Sequence, residues 1–111
     1  MAGLSEKTCV PCRGGVPPLT VQESAVLAAK IDGWSVVNNH HLEKGFGFPD
    51  FRTALGFVNA VGRIAEEQAH HPDMCLSWGN VRVTVWTHKI DGLTESDFIL
   101  AAKIDNVPHG A

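Results

Sequence analysis

The run Glu66-Glu67-Gln68-Ala69-His70-His71-Pro72 places two adjacent histidines where a helix must stop, and a third arrives at Thr87-His88 after a short hairpin. Imidazole has an unperturbed pKa of about 6.5, so in a group of such rings one can accept a proton while another donates. Glu66 stands four residues before His70, and on a continuous helix the two share a face, where a carboxylate orients an imidazole or holds it protonated. Two chemistries are open to such a cluster. Imidazole is the commonest zinc ligand and catalytic sites can use three, although adjacent histidines point in different directions and share a metal awkwardly. The other is metal-free proton transfer. There is no Gly-x-Ser-x-Gly elbow, phosphate loop or dinucleotide fingerprint, hence no evident nucleophile.

The hairpin must bring His88 to the pair. Met74, Leu76 and Trp78 alternate with Asp73, Cys75 and Ser77, and Val81, Val83 and Val85 alternate with Arg82, Thr84 and Trp86. Gly79-Asn80 reads as a two-residue turn with Gly at its first central position. Trp78 then pairs with Val81, Leu76 with Val83 and Met74 with Val85, all on one apolar face. Carried on, the same register sets His71 opposite His88 with Cβ atoms roughly 5 Å apart. His40-His41 is also an adjacent pair. It falls at a predicted turn with no further histidine brought to it, and reads as solvated surface.

Around these residues the chain of 111 reads as one domain, 19–107, between an irregular leader at 1–18 and a tail at 108–111. Thr20-Val21-Gln22-Glu23 is a capping box opening a helix to about Lys30, with Val21, Ala25, Ala28 and Ala29 available inward and Gly33 beyond its end. Trp34–Val37 and His41–Phe48 read as strands, the second with Leu42, Phe46 and Phe48 on one face. Asp50 caps a helix that runs to about Ala69, with Phe51, Ala54, Leu55, Val58, Val61, Ile64 and Ala65 near helical spacing. Pro72 forbids its continuation. Thr94 with Asp97, stapled by Leu93 and Phe98, opens a last helix over 95–105. The order α-β-β-α-β-β-α predicts an α+β fold: a four-stranded antiparallel sheet with three helices on one face.

Hydrophobic content of 44%, charged content of 19% and a net charge of −3 are ordinary for a globular chain and leave no basic footprint for nucleic acid. No apolar segment approaches a membrane span and Met1–Lys7 has no signal-peptide character, so a soluble cytoplasmic protein is expected. The core is modest, which makes self-association plausible. Cys9 and Cys12 have zinc-like spacing but no second cysteine pair, and read as incidental thiols; Cys75 reads as a small strand filler.

Glu66-x-x-x-His70-His71-Pro72, Leu76-Ser77-Trp78-Gly79, Val83-x-Val85-Trp86-Thr87-His88 and Gly92-Leu93-Thr94-x-x-Asp97-Phe98 together closely resemble pterin-4a-carbinolamine dehydratases, a family that includes the dimerisation cofactor of a vertebrate homeodomain transcription factor. The resemblance covers about residues 19–105, and the Cys9–Gly15 leader is similar to that of bacterial members. It implies dehydration of 4a-hydroxytetrahydrobiopterin to quinonoid dihydropterin, without metal or cofactor, recycling the pterin of an aromatic amino-acid hydroxylase, phenylalanine hydroxylase being the expected link. By position His70, His71 and His88 are the implied catalytic residues, with proton transfer centred on His70 and His88 and pterin orientation on His71. Glu66, Pro72, Ser77, Trp78, Thr87 and Asp97 are the implied substrate-binding or supporting residues, and Trp34 and Trp86 are candidate aromatic contacts. Ala69 and Ser96 depart from animal relatives, which carry an acidic residue and an arginine there. The family also implies a homodimer or homotetramer, and leaves open a non-catalytic dimeric binding or coactivator module; a histidine-ligated metalloenzyme is the third reading.

Overall fold

A computed structural model describes residues 3–7, 9 and 17–108. Three helices, α1 (Val21–Ala28), α2 (Phe51–Gln68) and α3 (Glu95–Asp105), accompany four strands, β1 (Ser35–Val37), β2 (His41–Gly47), β3 (Asp73–Ser77) and β4 (Asn80–Val85). All pairings are antiparallel and the spatial order is β1-β2-β4-β3, so the two hairpins meet along β2 and β4. Leu42, Phe46, Val81, Val83 and Val85 point to the helical face and are buried with Ala54, Phe57, Val61, Phe98, Ile99 and Leu100 in one core. Each of these side chains larger than alanine contributes roughly 1.5–3 kcal/mol by leaving water. The opposite face carries His41, Glu43, Arg82, Thr84 and Trp86, none of them fully buried.

Capping sets the helix starts. The Thr20–Glu23 capping box is formed, and the Asp50 carboxylate accepts from the Thr53 amide at 2.8 Å and its hydroxyl at 2.6 Å. Those bonds, the hydroxyl's first, lower the Asp50 pKa. Leu93 and Phe98, the staple of α3, are wholly buried.

Several expectations are corrected. Val21, Ala25 and Ala29 are exposed in α1 or at its end, because Ser24, Leu27 and Ala28 are the positions turned inward. In α2 Phe51 and Leu55 are exposed, and Phe57 is the buried aromatic, its ring 4.7 Å from Phe46 and 5.1 Å from Phe48. The leader contributes Leu4, in a short 3-10 turn, and Cys9 to the core, so the Cys9 thiol is not incidental; Cys12 lies outside the described residues. Cys75 is exposed on the open face rather than filling a gap.

The hairpin register also differs. Ser77 pairs with Asn80, Leu76 with Val81 and Met74 with Val83, so the two turn residues are Trp78 and Gly79. Gly79 is needed here for proximity: a Cβ on it would lie 2.9 Å from the Phe48 carbonyl oxygen, while the Phe48 amide donates to the Gly79 carbonyl at 2.9 Å. The end of β2 thus fixes which residue occupies the turn. The move changes each partner by two places, so every side chain keeps its face. Trp78 loses its expected partner Val81 and is 68% exposed. His71 loses His88 as its cross-strand partner, because the ladder stops at Asp73 and Thr84.

Candidate active site

The His70-His71 pair is presented by the end of α2. Ala69 adopts the left-handed conformation (φ 52°, ψ 37°). The His70 amide reaches back to the Ala65 carbonyl at 3.2 Å, and the Ala69 amide to that of Glu66 at 3.4 Å. This Schellman arrangement satisfies the last carbonyls and turns the chain sharply out of the helix. The expected sharing of a face by Glu66 and His70 therefore does not occur. Glu66 accepts instead from His71 Nε2 at 2.5 Å, in a largely exposed pair.

His70 is held by a residue 27 positions along the chain, in the first turn of α3. Its Nε2 lies 2.6 Å from Asp97 Oδ1, with its side chain 10% exposed and that of Asp97 fully buried. Asp97 Oδ2 accepts from the Thr87 hydroxyl at 2.8 Å and the Thr94 amide at 2.8 Å. Three donors thus converge on one buried carboxylate, which is how a buried charge is tolerated. The same aspartate caps α3, anchors the segment leaving β4 and orients the imidazole. Because the carboxylate accepts, the His70 Nε2 carries a proton, and Nδ1 has no protein partner among the described residues. Behind this end of α2 the Cys9 amide donates to Gln68 Oε1 at 2.9 Å and the Cys9 thiol to the Ser96 carbonyl at 3.5 Å. Burial pushes that thiol up to about 11, with Lys103 opposing and Asp97 adding to the shift.

His88 is delivered by a tight loop. The Thr87 amide donates to the Gly92 carbonyl at 2.9 Å and the Gly92 amide returns to Thr87 at 3.4 Å, closing the segment. His88 is exposed, its imidazole makes no hydrogen bond among the described residues, and it packs on Trp86 with ring centroids 4.3 Å apart. His70, His71, Trp86, Thr87, His88 and Lys89 line one cleft of about 410 Å³. The three sequence-predicted histidines therefore border a common space, though none pairs across the hairpin with another. One bound flat heterocycle could meet a ring bonded to a buried carboxylate (His70), a ring held by an outer carboxylate (His71) and an exposed ring with no side-chain hydrogen bond among the described residues (His88).

The remaining candidates divide. Thr87 is in the cleft wall, Asp97 lies behind it and Glu66 behind His71. Pro72 carries the chain from the pair into β3. Ser77 and Trp78 are at the β3–β4 turn, the opposite end of the sheet from the histidines. Trp34 donates to Asp105 at 3.0 Å and packs on Phe46, away from the cleft, whereas Trp86 forms its wall. Lys89 is a cleft residue absent from the sequence candidates, and its place beside His88 is the signal that points to it. Among the described residues no cluster of three or more His, Cys, Asp or Glu is arranged to hold a metal ion.

Comparison with known proteins agrees over nearly the whole chain. The sequence model of the family described as pterin 4 alpha carbinolamine dehydratase matches residues 17–107. A protein of Rubrobacter xylanophilus, provisionally named a pterin-4-alpha-carbinolamine dehydratase, is 60% identical over 96% of this chain and 100% of its own length. One of Alkaliphilus metalliredigens with the same provisional name is 51% identical over 95% and 96%. The crystal structure of a transcriptional coactivator/pterin dehydratase from Brucella melitensis superposes with a TM-score of 0.75 at 35% identity, covering 79% of this chain and 95% of that one.

Proposed function

This chain belongs to the pterin 4-alpha-carbinolamine dehydratase family, and on that premise we propose that His70, His71 and His88 dehydrate 4a-hydroxytetrahydrobiopterin by acid/base catalysis without a metal. In the reaction the N5 proton is taken by a base, the C4a–O bond breaks as an acid protonates the hydroxyl, and an N5=C4a double bond forms as water leaves. His70 and His88 are assigned the two transfers. The Asp97 contact leaves Nδ1 as the His70 nitrogen available to the substrate, and the His88 imidazole has no hydrogen bond among the described residues to break before it moves a proton. His71, steadied by Glu66, orients the pterin. The observation that carries this reading is the convergence of the three imidazoles on one cleft of about 410 Å³, within the range of small-molecule sites.

The product is the oxidised pterin that a reductase must return to the tetrahydro form, so the enzyme serves an aromatic amino-acid hydroxylase, with phenylalanine hydroxylase the proposed link. No helix is long and apolar enough to cross a membrane, and the cytoplasm is the proposed location. A homodimer or homotetramer is part of this reading, supported by the exposed Phe51 and Leu55 on α2. A second reading, a binding or coactivator module, is favoured by the coactivator designation of the Brucella melitensis neighbour.

The test is the dehydration rate of 4a-hydroxytetrahydrobiopterin, generated in situ by phenylalanine hydroxylase, with chelator present. Acceleration by the wild type that is lost in His88→Ala supports the proposal. No acceleration by the folded wild type overturns it in favour of the binding module, and acceleration that chelator abolishes moves the chemistry to a metal.

A further inference from the structure

We propose that His40, His41 and Asp91 form a brace that positions Trp86 and the His88 loop, an inference that rests on the catalytic reading of that cleft. The pair lies next to the site, contrary to its expected role as isolated surface. Register explains how. Leu42 pairs with Val85, so one step beyond the ladder His41 is set beside Trp86, on the face of the sheet away from the helices. The ring centroids of His40 and His41 lie 5.4 and 6.1 Å from that of Trp86, whose other neighbour His88 is at 4.3 Å.

The hydrogen bonds give the pair a direction. His40 Nε2 lies 2.7 Å from Asp91 Oδ1 and His40 Nδ1 lies 3.0 Å from His41 Nδ1. A carboxylate only accepts, so His40 Nε2 carries the proton there. The Nδ1–Nδ1 contact then needs one donor and one acceptor. Either His41 donates to a neutral His40, or a cationic His40 donates to His41.

Both ends of the brace are fixed by backbone. Asn38 and Asn39 adopt left-handed φ values of 52° and 51°, conformations that asparagine tolerates. They form a tight turn in which the His40 amide donates to Val37 at 2.9 Å, and the Asn39 amide group donates to the Leu19 carbonyl at 2.9 Å. Asp91 belongs to the loop that carries His88: its amide donates to the His88 carbonyl at 3.2 Å, and the Ile90 amide to that of Thr87 at 3.2 Å. The His40–Asp91 bond therefore ties the β1–β2 turn across 51 residues to the segment presenting the third active-site histidine. His40, His41 and Asp91 act through Trp86 and His88 rather than on substrate, and are positioning residues.

Amide hydrogen exchange and kinetics on the full chain test the brace. His40→Ala should speed exchange of the Ile90, Asp91 and Gly92 amides about fivefold, the factor matching one ordinary net hydrogen bond, and Asp91→Ala by at least as much, because alanine at the left-handed Asp91 (φ 54°) adds strain of its own. The double variant should add nothing to the Asp91→Ala change. Asp91→Asn, whose amide oxygen still accepts from His40, should stay near wild type. The kcat should fall by a similar factor in the two alanine variants, with KM changing less, while the β2–β4 ladder keeps its protection. Unchanged loop exchange in His40→Ala, additive effects in the double variant, or an Asp91→Asn protein behaving like Asp91→Ala would each overturn the brace. The exchange result stands whether or not the wild type dehydrates pterin, so failure of the brace and failure of the catalytic reading are separable.

Discussion

Two pairs of adjacent histidines, His40-His41 and His70-His71, look alike in the sequence and are built differently in the fold. The second pair leaves a helix end, and its first member is sealed against Asp97, which is fully buried and holds three donors. The first pair sits on a hairpin turn, its first member bonded to an Asp91 side chain that is 85% exposed. Both border the end of β4, one facing the cleft and one braced on the wall behind it. What separates them is the environment of the carboxylate partner. Removing one member of a buried pair is costly, whereas an exposed ion pair contributes about 0–1 kcal/mol.

The largest contrast should appear in turnover. His70→Ala and His88→Ala are expected to lower kcat about 10²–10⁴-fold, the usual contribution of a positioned acid or base. His71→Ala should act mainly on KM, by about tenfold, if orientation rather than proton transfer is its role. His40→Ala should cost only the few-fold effect of a loosened loop. A His40→Ala protein as impaired as His70→Ala would erase the distinction and place the first pair in the chemistry itself.

Stability should separate the carboxylates in the same order. Asp97→Ala strips acceptors from His70, Thr87 and Thr94 together, and should cost about 3 kcal/mol in urea unfolding. Glu66→Ala and Asp91→Gly, glycine because Asp91 is left-handed at φ 54°, should each cost under about 1 kcal/mol. Equal losses for Asp97 and Asp91 would mean that burial is not what distinguishes the two pairs.

The unequal treatment of the pairs was half legible. Local signals worked: the capping residues Thr20, Asp50 and Thr94 each open a helix, and the alternation in β3 and β4 identified the inward valines. The failed Glu66–His70 face is a local matter, set by the left-handed turn at Ala69, but most features that failed depend on contacts distant in sequence. The Trp78-Gly79 turn is dictated by the approach of Phe48 from β2. The partner of His70 comes from α3; spacing reads Asp97 as a capping residue and the family resemblance as a supporting one, and neither names His70 as what it holds. His40-His41 reaches the site because β2 lies beside β4, and hairpin periodicity says nothing about which two hairpin strands become neighbours. The stripe of α2 was misjudged at Phe51 and Leu55 because both have the right residue type, while Phe57 is selected by its fit to Phe46 and Phe48.

Alkaline pH offers a way to loosen the second pair alone. Cys9 binds Gln68 at the end of α2 and Ser96 beside Asp97, and its thiol is raised from 9.0 to about 11, chiefly by burial. A group raised on folding binds more protons in the native state between those values. Its contribution is therefore complete below pH 9 and declines as pH climbs toward 11. The urea midpoint of the wild type should fall over that interval, and the Cys9→Ser protein should lack that part of the decline. A parallel decline in both proteins would remove Cys9 from the account.

The smallest effect concerns the backbone that turns each pair outward. Both turns use left-handed residues, but the first uses Asn38 and Asn39 and the second uses Ala69 at φ 52°. Alanine there sets its Cβ against a carbonyl oxygen at a cost of roughly 1–2 kcal/mol, a strain that asparagine mitigates and glycine escapes. Ala69→Gly should relieve it, less the extra freedom that glycine has in the unfolded chain, for a net stabilisation of about 0.5–1 kcal/mol. At this chain length that corresponds to a few degrees in Tm. Asn38→Gly should stay within about 0.5 kcal/mol of wild type. Ala69 is exposed, so its methyl gives up little packing, and the Ala65 and Glu66 carbonyl bonds that aim His70 remain available to glycine. Turnover should therefore hold while Tm rises. A stabilised protein with lower kcat would instead show that the stiffness of alanine at this helix end is what keeps His70 and His71 aimed into the cleft.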